Sequence, residues 1–145
     1  MSQAVVLLVE DNPAHAEILR RAIGASHIPT RVEHVADGQE ALDYLYLRNS
    51  FSDPDRAPRP ELILLDLRMP KVHGFQVLAA IKADPGLLSI PVVVMSTSAA
   101  REDKQQAYAL HANSYLVKPL DFRQTLELGD ILCRYWLRSN QISAS

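Results

Sequence analysis

Residues 61–70, ELILLDLRMP, constrain this chain more than any other stretch. Leu62, Ile63, Leu64 and Leu65 show no polar alternation, and the run stops on Asp66. An unbroken apolar run of this length suits a strand covered on both faces, the kind a parallel sheet places at its centre. Asp66 then stands at that strand's carboxyl end. In open α/β sheets, ligands and chemistry collect in the crevice outside the carboxyl ends of the strands, so Asp66 is the first candidate for a working residue.

The flanking sequence supplies the rest of such a sheet. AVVLLV (4–9) is a short β-rich run, and Asn12-Pro13 after it offers a cap followed by proline at the first helical position. Ile18, Leu19, Ala22 and Ile23 then recur at helical spacing, with Gly24 as the expected stop. RVEHV (31–35) is the second strand, and Asp37 with Glu40 resembles a capping box opening a helix through Ala41, Leu42, Leu45 and Tyr46. Residues 49–60, NSFSDPDRAPRP, break the rhythm with three prolines and suit either a solvated loop or a partner-recognition loop. After Asp66, Gly74 leads into a helix with Val77, Leu78 and Ile81 that Asp84-Pro85-Gly86 ends. The fourth strand is IPVVVM (90–95); Ser98 is the expected cap of a fourth helix whose apolar content is thin, chiefly Ala100, Ala107 and Leu110. SYLV (114–117) is the fifth strand, Lys118-Pro119 closes it, and Asp121 caps a last helix over 121–138. Five successive βα units predict an α/β fold, a parallel sheet with helices on both faces.

Size and charge narrow the function. A chain of 145 residues fits one domain able to bury a core without disulfides. The single cysteine, Cys133, suits a structural thiol in a reducing cytoplasm. The opening MSQAVVLLVEDN meets two acids after a short apolar run, so neither a signal peptide nor a membrane span is expected, and the predicted location is cytoplasmic. With 15 Lys+Arg against 17 Asp+Glu there is no basic field for nucleic acid.

On a wheel of 100° per residue, Phe122, Leu126, Leu128, Ile131, Leu132, Tyr135, Trp136 and Leu137 of the last helix spread over roughly 240°. One sheet cannot cover so wide an arc. The helix either tucks beneath its own C-terminal tail or buries a second face against another subunit, and the latter predicts a homodimer.

Because parallel strands open on one edge, Glu10 and Asp11 after the first strand should meet Asp66 after the third. Three converging carboxylates raise at least one pKa unless a hard, oxygen-seeking cation neutralises them, and Mg²⁺, which shares its shell with phosphate oxygens, suits the set. An aspartate beside it can be the nucleophile of an aspartyl phosphate. Ser96, after the fourth strand, offers a hydroxyl to a phosphoryl oxygen; Lys118, after the fifth, offers a positive charge.

VVLLVEDNP, LLDLRMPKVHGF, VVVMSTSA and NSYLVKPL together resemble the four signature stretches of response-regulator receiver domains. The resemblance covers residues 4 to about 138 and implies a doubly wound (βα)5 flavodoxin-like three-layer sandwich with strand order 2-1-3-4-5, a single receiver domain over 1–145 and no output domain. The long segment before the third strand and the extended last helix resemble small regulators paired with phytochrome-type (bacteriophytochrome) histidine kinases. The resemblance makes Asp66 the phosphoacceptor, taking its group from a kinase phosphohistidine. It makes Asp11 and Asp66 direct ligands of Mg²⁺, with Glu10 acting through water and Arg68 through its backbone carbonyl. Family spacing, 22 residues back from Lys118, selects Ser96 and not Thr97 as the switch hydroxyl; Tyr115 takes the switch aromatic position. Phosphorylation then shifts the surface of the fourth helix, fifth strand and fifth helix, which is also the expected dimer region. A cis Lys118–Pro119 bond is implied too.

Two positions depart from the family pattern. His73 stands where aspartate is common, and His111 stands where glycine usually ends the fourth helix, so His111 is expected at positive φ. The five histidines lack metal-ligand spacing and are read as surface or core residues. A Mg²⁺-dependent phosphatase would place a second acid two residues after the nucleophile, where this chain has Arg68. A flavodoxin would need a phosphate loop where Glu10-Asp11 repel phosphate. A receiver-like binding module that is never phosphorylated has no need of the acids and the lysine. The expected role is therefore phosphoacceptor signalling, not metabolic catalysis.

Overall fold

The computed structural model describes residues 3–69 and 72–139. Strands β1 (Ala4–Val9), β2 (Thr30–Val35), β3 (Leu62–Leu65), β4 (Val92–Ser96) and β5 (Ser114–Val117) form one parallel sheet in the order β2-β1-β3-β4-β5. Helices α1 (Pro13–Gly24), α2 (Gly38–Leu45), α3 (Gly74–Ala83), α4 (Arg101–Ala109) and α5 (Phe122–Leu132) alternate with them. This is the flavodoxin-like order expected above. The apolar run of β3 explains itself in this setting: Ile63 and Leu65 pack toward α2, α3 and α4, while Leu62 and Leu64 pack toward α1 and α5. Both faces of a central strand are dry, so neither tolerates a polar side chain.

The helix starts follow the sequence closely. Asn12 caps α1, its Oδ1 accepting from Ala14 N at 2.9 Å and His15 N at 3.2 Å with Pro13 at the first turn. Asp37 and Asp121 cap α2 and α5 in the same way, accepting from Glu40 N at 2.8 Å and Gln124 N at 2.7 Å. His73 does what an aspartate would do: Nδ1 accepts from Phe75 N at 3.3 Å, and the Gln76 side chain accepts from His73 N at 2.8 Å, closing a capping box on α3. His111 takes φ 70°, as expected.

Several expectations need correcting. Gly24 is the last residue of α1, but the cap is Ala25 in a right-handed conformation, so no left-handed glycine is used. α2 stops at Leu45, one residue before Tyr46, because Leu47 and Asn49 turn the chain at φ 55° and 53°. Residues 49–60 are the largely exposed loop expected, but the loop is also tied to the body. Phe51 lies against Tyr44 with ring centroids 5.3 Å apart, Tyr44 Oη donates to Pro58 O at 2.7 Å, and Arg59 Nη1 donates to Gly86 O at 2.6 Å. Ser98 does not cap α4; Ala100 holds the cap position with no side-chain bond, because the Ser98 hydroxyl accepts from Ala100 N one turn earlier. The Lys118–Pro119 bond is trans, the lower-energy form even before proline. The last helix is α-helical only to Leu132 and continues as a π-helical segment, Cys133–Ser139. Pro70 and Lys71, inside the stretch after Asp66, and residues 140–145 of the expected C-terminal tail lie outside the described residues.

Candidate functional site

Parallel pairing of β1 with β3 puts their ends side by side, and Asp66 N extends the ladder by donating to Val9 O at 3.0 Å. Glu10, Asp11 and Asp66 therefore meet, one carboxylate oxygen from each lying within 4.8 Å of the others. Glu10 and Asp66 are buried, Asp11 exposed. Lys118, one residue beyond β5, reaches back across β4: its ammonium donates to Glu10 Oε1 and lies 3.7 Å from Asp66 Oδ2. Its backbone N–H donates to Ser96 O at 2.8 Å, which fixes where the side chain starts.

The charges are unbalanced. Burial, and after it a hydrogen bond to Glu10 and that residue's own charge, push the Asp66 carboxyl up to about 7; Lys118 and the Arg68 N–H pull the other way without prevailing. Hard oxygen donors, buried on one side and open at Asp11, fit a divalent cation, whose charge would offset the burial and the Glu10 charge that raise Asp66. The loop leaving Asp66 is held tightly: Gly74 N donates to Leu67 O at 3.1 Å, and a Cβ on Gly74 would stand 2.4 Å from Asp66 O. Only glycine permits that approach.

The remaining expected residues surround the cluster. Ser96 is fully buried at the end of β4, its Oγ accepting from Ser98 N at 3.1 Å; Thr97 beside it is exposed. Tyr115 Oη donates to Ser98 O at 2.8 Å, so both switch positions meet the β4–α4 loop at one residue. Arg68 is exposed; its N–H points to Asp66 Oδ1 at 3.4 Å, and its guanidinium pairs with Asp103 at 2.9 Å. Two histidines are less passive than expected. His15 Nδ1 lies 3.3 Å from Lys118 Nζ and 3.8 Å from Glu10 Oε1, and His34 Nε2 lies 2.8 Å from Glu10 O. The first signal was faint: His15 stands four residues after Asp11, one helical turn, but its contact with Lys118 spans 103 positions. Beside the cluster a cleft of about 440 Å³ runs between α1 and the β5–α5 loop, with Ile18, Leu120 and Phe122 among its walls.

A family model described as "Response regulator receiver domain" matches residues 6–128. The chain is 43% identical over 137 residues to the probable methanogenesis regulatory protein FilR2 of Methanothrix harundinacea, covering 94% of this chain and 86% of that one. It is 36% identical over 141 residues to response regulator Rcp1 of Synechocystis sp., covering 97% and 94%. The crystal structure of the Mn²⁺-bound form of Rcp1 superposes with a TM-score of 0.88 at 35% identity, covering 97% of this chain and 99% of that chain. That of the phosphorylated cyanobacterial phytochrome response regulator RcpA gives 0.92 at 38% identity, covering 99% and 100%. Since the matched segment takes in every strand end that carries the cluster, this chain belongs to the family of response regulator receiver domains.

Proposed function

We propose that this receiver takes a phosphoryl group onto Asp66 from a phosphohistidine of a sensor histidine kinase and stores it as a signal. The observation that carries the reading is the placement of Lys118 Nζ 3.7 Å from Asp66 Oδ2, within an acid cluster built to be neutralised by a cation. An oxygen of Asp66 bonds to phosphorus as the phosphorus–nitrogen bond of the donor breaks. Lys118 supplies positive charge to the phosphoryl oxygens, and Ser96 donates its hydroxyl to one of them. Asp11, Asp66, Glu10 and the Arg68 carbonyl would hold Mg²⁺, and the Lys118 contact keeps Glu10 facing the site. Mg²⁺, when bound, neutralises charge that develops during transfer. Tyr115 and Ser96 then reset the β4–α4 loop and the α4-β5-α5 surface. The chain is a phosphoacceptor that assists its own phosphorylation and dephosphorylation, not an enzyme with a separate substrate, and its receiver fold acts as one domain.

The cleft beside Lys118, with exposed Leu120 and Phe122 among its walls, suits apolar side chains of the kinase that delivers the group. Likeness to RcpA, a phytochrome response regulator, supports a phytochrome-type kinase as that partner. The exposed apolar side chains of β5 and α5 support a homodimer. Incubation with a small phosphodonor and Mg²⁺ tests the central claim by intact mass. One phosphoryl group, labile at alkaline pH, is expected on the wild type and none on Asp66→Asn. An unchanged wild-type mass, together with no change on adding beryllofluoride, overturns it.

A further inference from the structure

Helix α4 is attached to the rest of the molecule in an unusual way. Ala107 is its one buried side chain, so apolar packing contributes little to its position. Polar links hold it instead. Near its end, Tyr108 Oη accepts from Tyr115 N of β5 at 3.1 Å. In its first turn the partly covered Asp103 carboxylate pairs with Arg68 Nη2 at 2.9 Å. The Ser98 hydroxyl, and after it the Arg68 guanidinium, hold the Asp103 carboxyl below the usual carboxylate range.

These contacts form one connected route. Arg68 lies two residues after Asp66 and its N–H points to Asp66 Oδ1. Asp103 pairs with Arg68 at 2.9 Å, and the Ser98 hydroxyl is near enough to help hold its carboxyl below the usual range. Ser98 in turn donates its N–H to Ser96 Oγ and offers its carbonyl to Tyr115 Oη. We propose that Asp103 is a positioning residue: by tying the first turn of α4 to Arg68, it passes the state of the Asp66 loop to α4 through the Arg68 ion pair, beside the link that runs from Ser96 through Ser98. This rests on Asp66 being the phosphoacceptor. A helix held by one buried alanine and a few polar links has a low cost of displacement, so a shift at Arg68 moves it as a unit. Asp103 touches neither the cluster nor the phosphoryl group; it acts only through Arg68 and Ser98.

Hydrogen exchange of the amides of residues 101–109, measured with and without beryllofluoride and Mg²⁺, tests the assignment on the full chain. In the wild type the two states differ; in Asp103→Asn, which keeps the shape and loses the charge, that difference shrinks about threefold or more. Asp103→Glu restores it, and Glu102→Gln, which removes a neighbouring exposed acid from the same turn, leaves it intact. Uptake of one phosphoryl group by Asp103→Asn remains as in the wild type, which separates positioning from acceptance. A full α4 response in Asp103→Asn, or an equal loss in Glu102→Gln, overturns the assignment. A wild type that takes up neither phosphoryl group nor beryllofluoride overturns the phosphoacceptor reading, and this inference with it.

Discussion

Asp66 carries an electrostatic conflict that sets a pH dependence. Its carboxyl titrates near 3.8 in ordinary surroundings and at about 7 in the folded chain, chiefly through burial and then through Glu10. Between those values the folded state keeps a proton that the unfolded state has released, so the contribution of Asp66 to metal-free stability falls as pH rises from about 4 to 7, and the penalty is complete above that. Urea unfolding in the presence of a chelator checks this. Asp66→Asn should exceed the wild type by roughly 1–3 kcal/mol at pH 7.5, a pKa unit being worth about 1.4 kcal/mol, and by much less at pH 4. Mg²⁺ at pH 7.5 should stabilise the wild type more than the variant, since binding to the folded state adds stability by mass action. An advantage of Asp66→Asn that grows toward acid pH contradicts the account. At this scale the sequence was informative wherever a residue's role depends on its own strand end: Glu10, Asp11, Asp66, Ser96 and Lys118 all stand where strand ends put them. His15 and Asp103 were not legible, because their contacts join Lys118 and Arg68 from positions 103 and 35 residues away.

At the scale of elements, the last helix shows where periodicity stops working. A 100° wheel assumes 3.6 residues per turn throughout, and it scatters the apolar residues of 122–138 over an arc too wide for one sheet. Beyond Leu132 the wider π-helical turn brings Trp136 and Leu137 back onto the α1 side of the core beside Leu128, Leu132 and Cys133. Phe122, Ile131 and Tyr135 remain exposed, so the wide arc was part geometry and part surface. No propensity rule signals that change of pitch, whereas the caps at Asn12, Asp37 and Asp121 were legible because a single side chain and the next three residues settle them. Gly129 is the corresponding case for packing. By propensity, alanine in mid-helix should gain nearly 1 kcal/mol. Here a Cβ at 129 would stand 2.7 Å from Ala22 Cβ and 2.9 Å from the Ala22 carbonyl carbon, where α5 crosses α1. Backbone cannot yield as a flexible side chain can. Gly129→Ala is therefore expected to destabilise the domain by about 1–3 kcal/mol in urea unfolding; a gain in stability would mean that α1 and α5 move apart at little cost.

For the whole molecule, the question is what covers the outer side of β5 and α5. Val117, Leu120, Phe122, Ile131 and Tyr135 are exposed, and a shallow groove running from Leu116 and Val117 to Leu128 and Ile131 joins the strand to the helix. Scattered apolar residues are normal on a surface, but a continuous patch crossing two elements marks an interaction site. A second copy is the simplest occupant, because a two-fold axis sets the same patch against itself and each Ile131 can seat in the other's groove. β5 is also an edge strand, and covering it protects it from unplanned pairing. Tyr115, which the proposed switch would reorient, belongs to the strand that carries this patch, so under that proposal a dimer formed here would respond to phosphorylation. Sedimentation at about 10–50 micromolar, a range suited to a modest affinity, tests the arrangement. The wild type should sediment as a dimer, and Ile131→Glu, which places a charge in the apolar groove, should shift it to monomer while intact mass still records one phosphoryl group. A monomeric wild type with and without beryllofluoride removes the second copy as occupant and leaves the patch to a different protein.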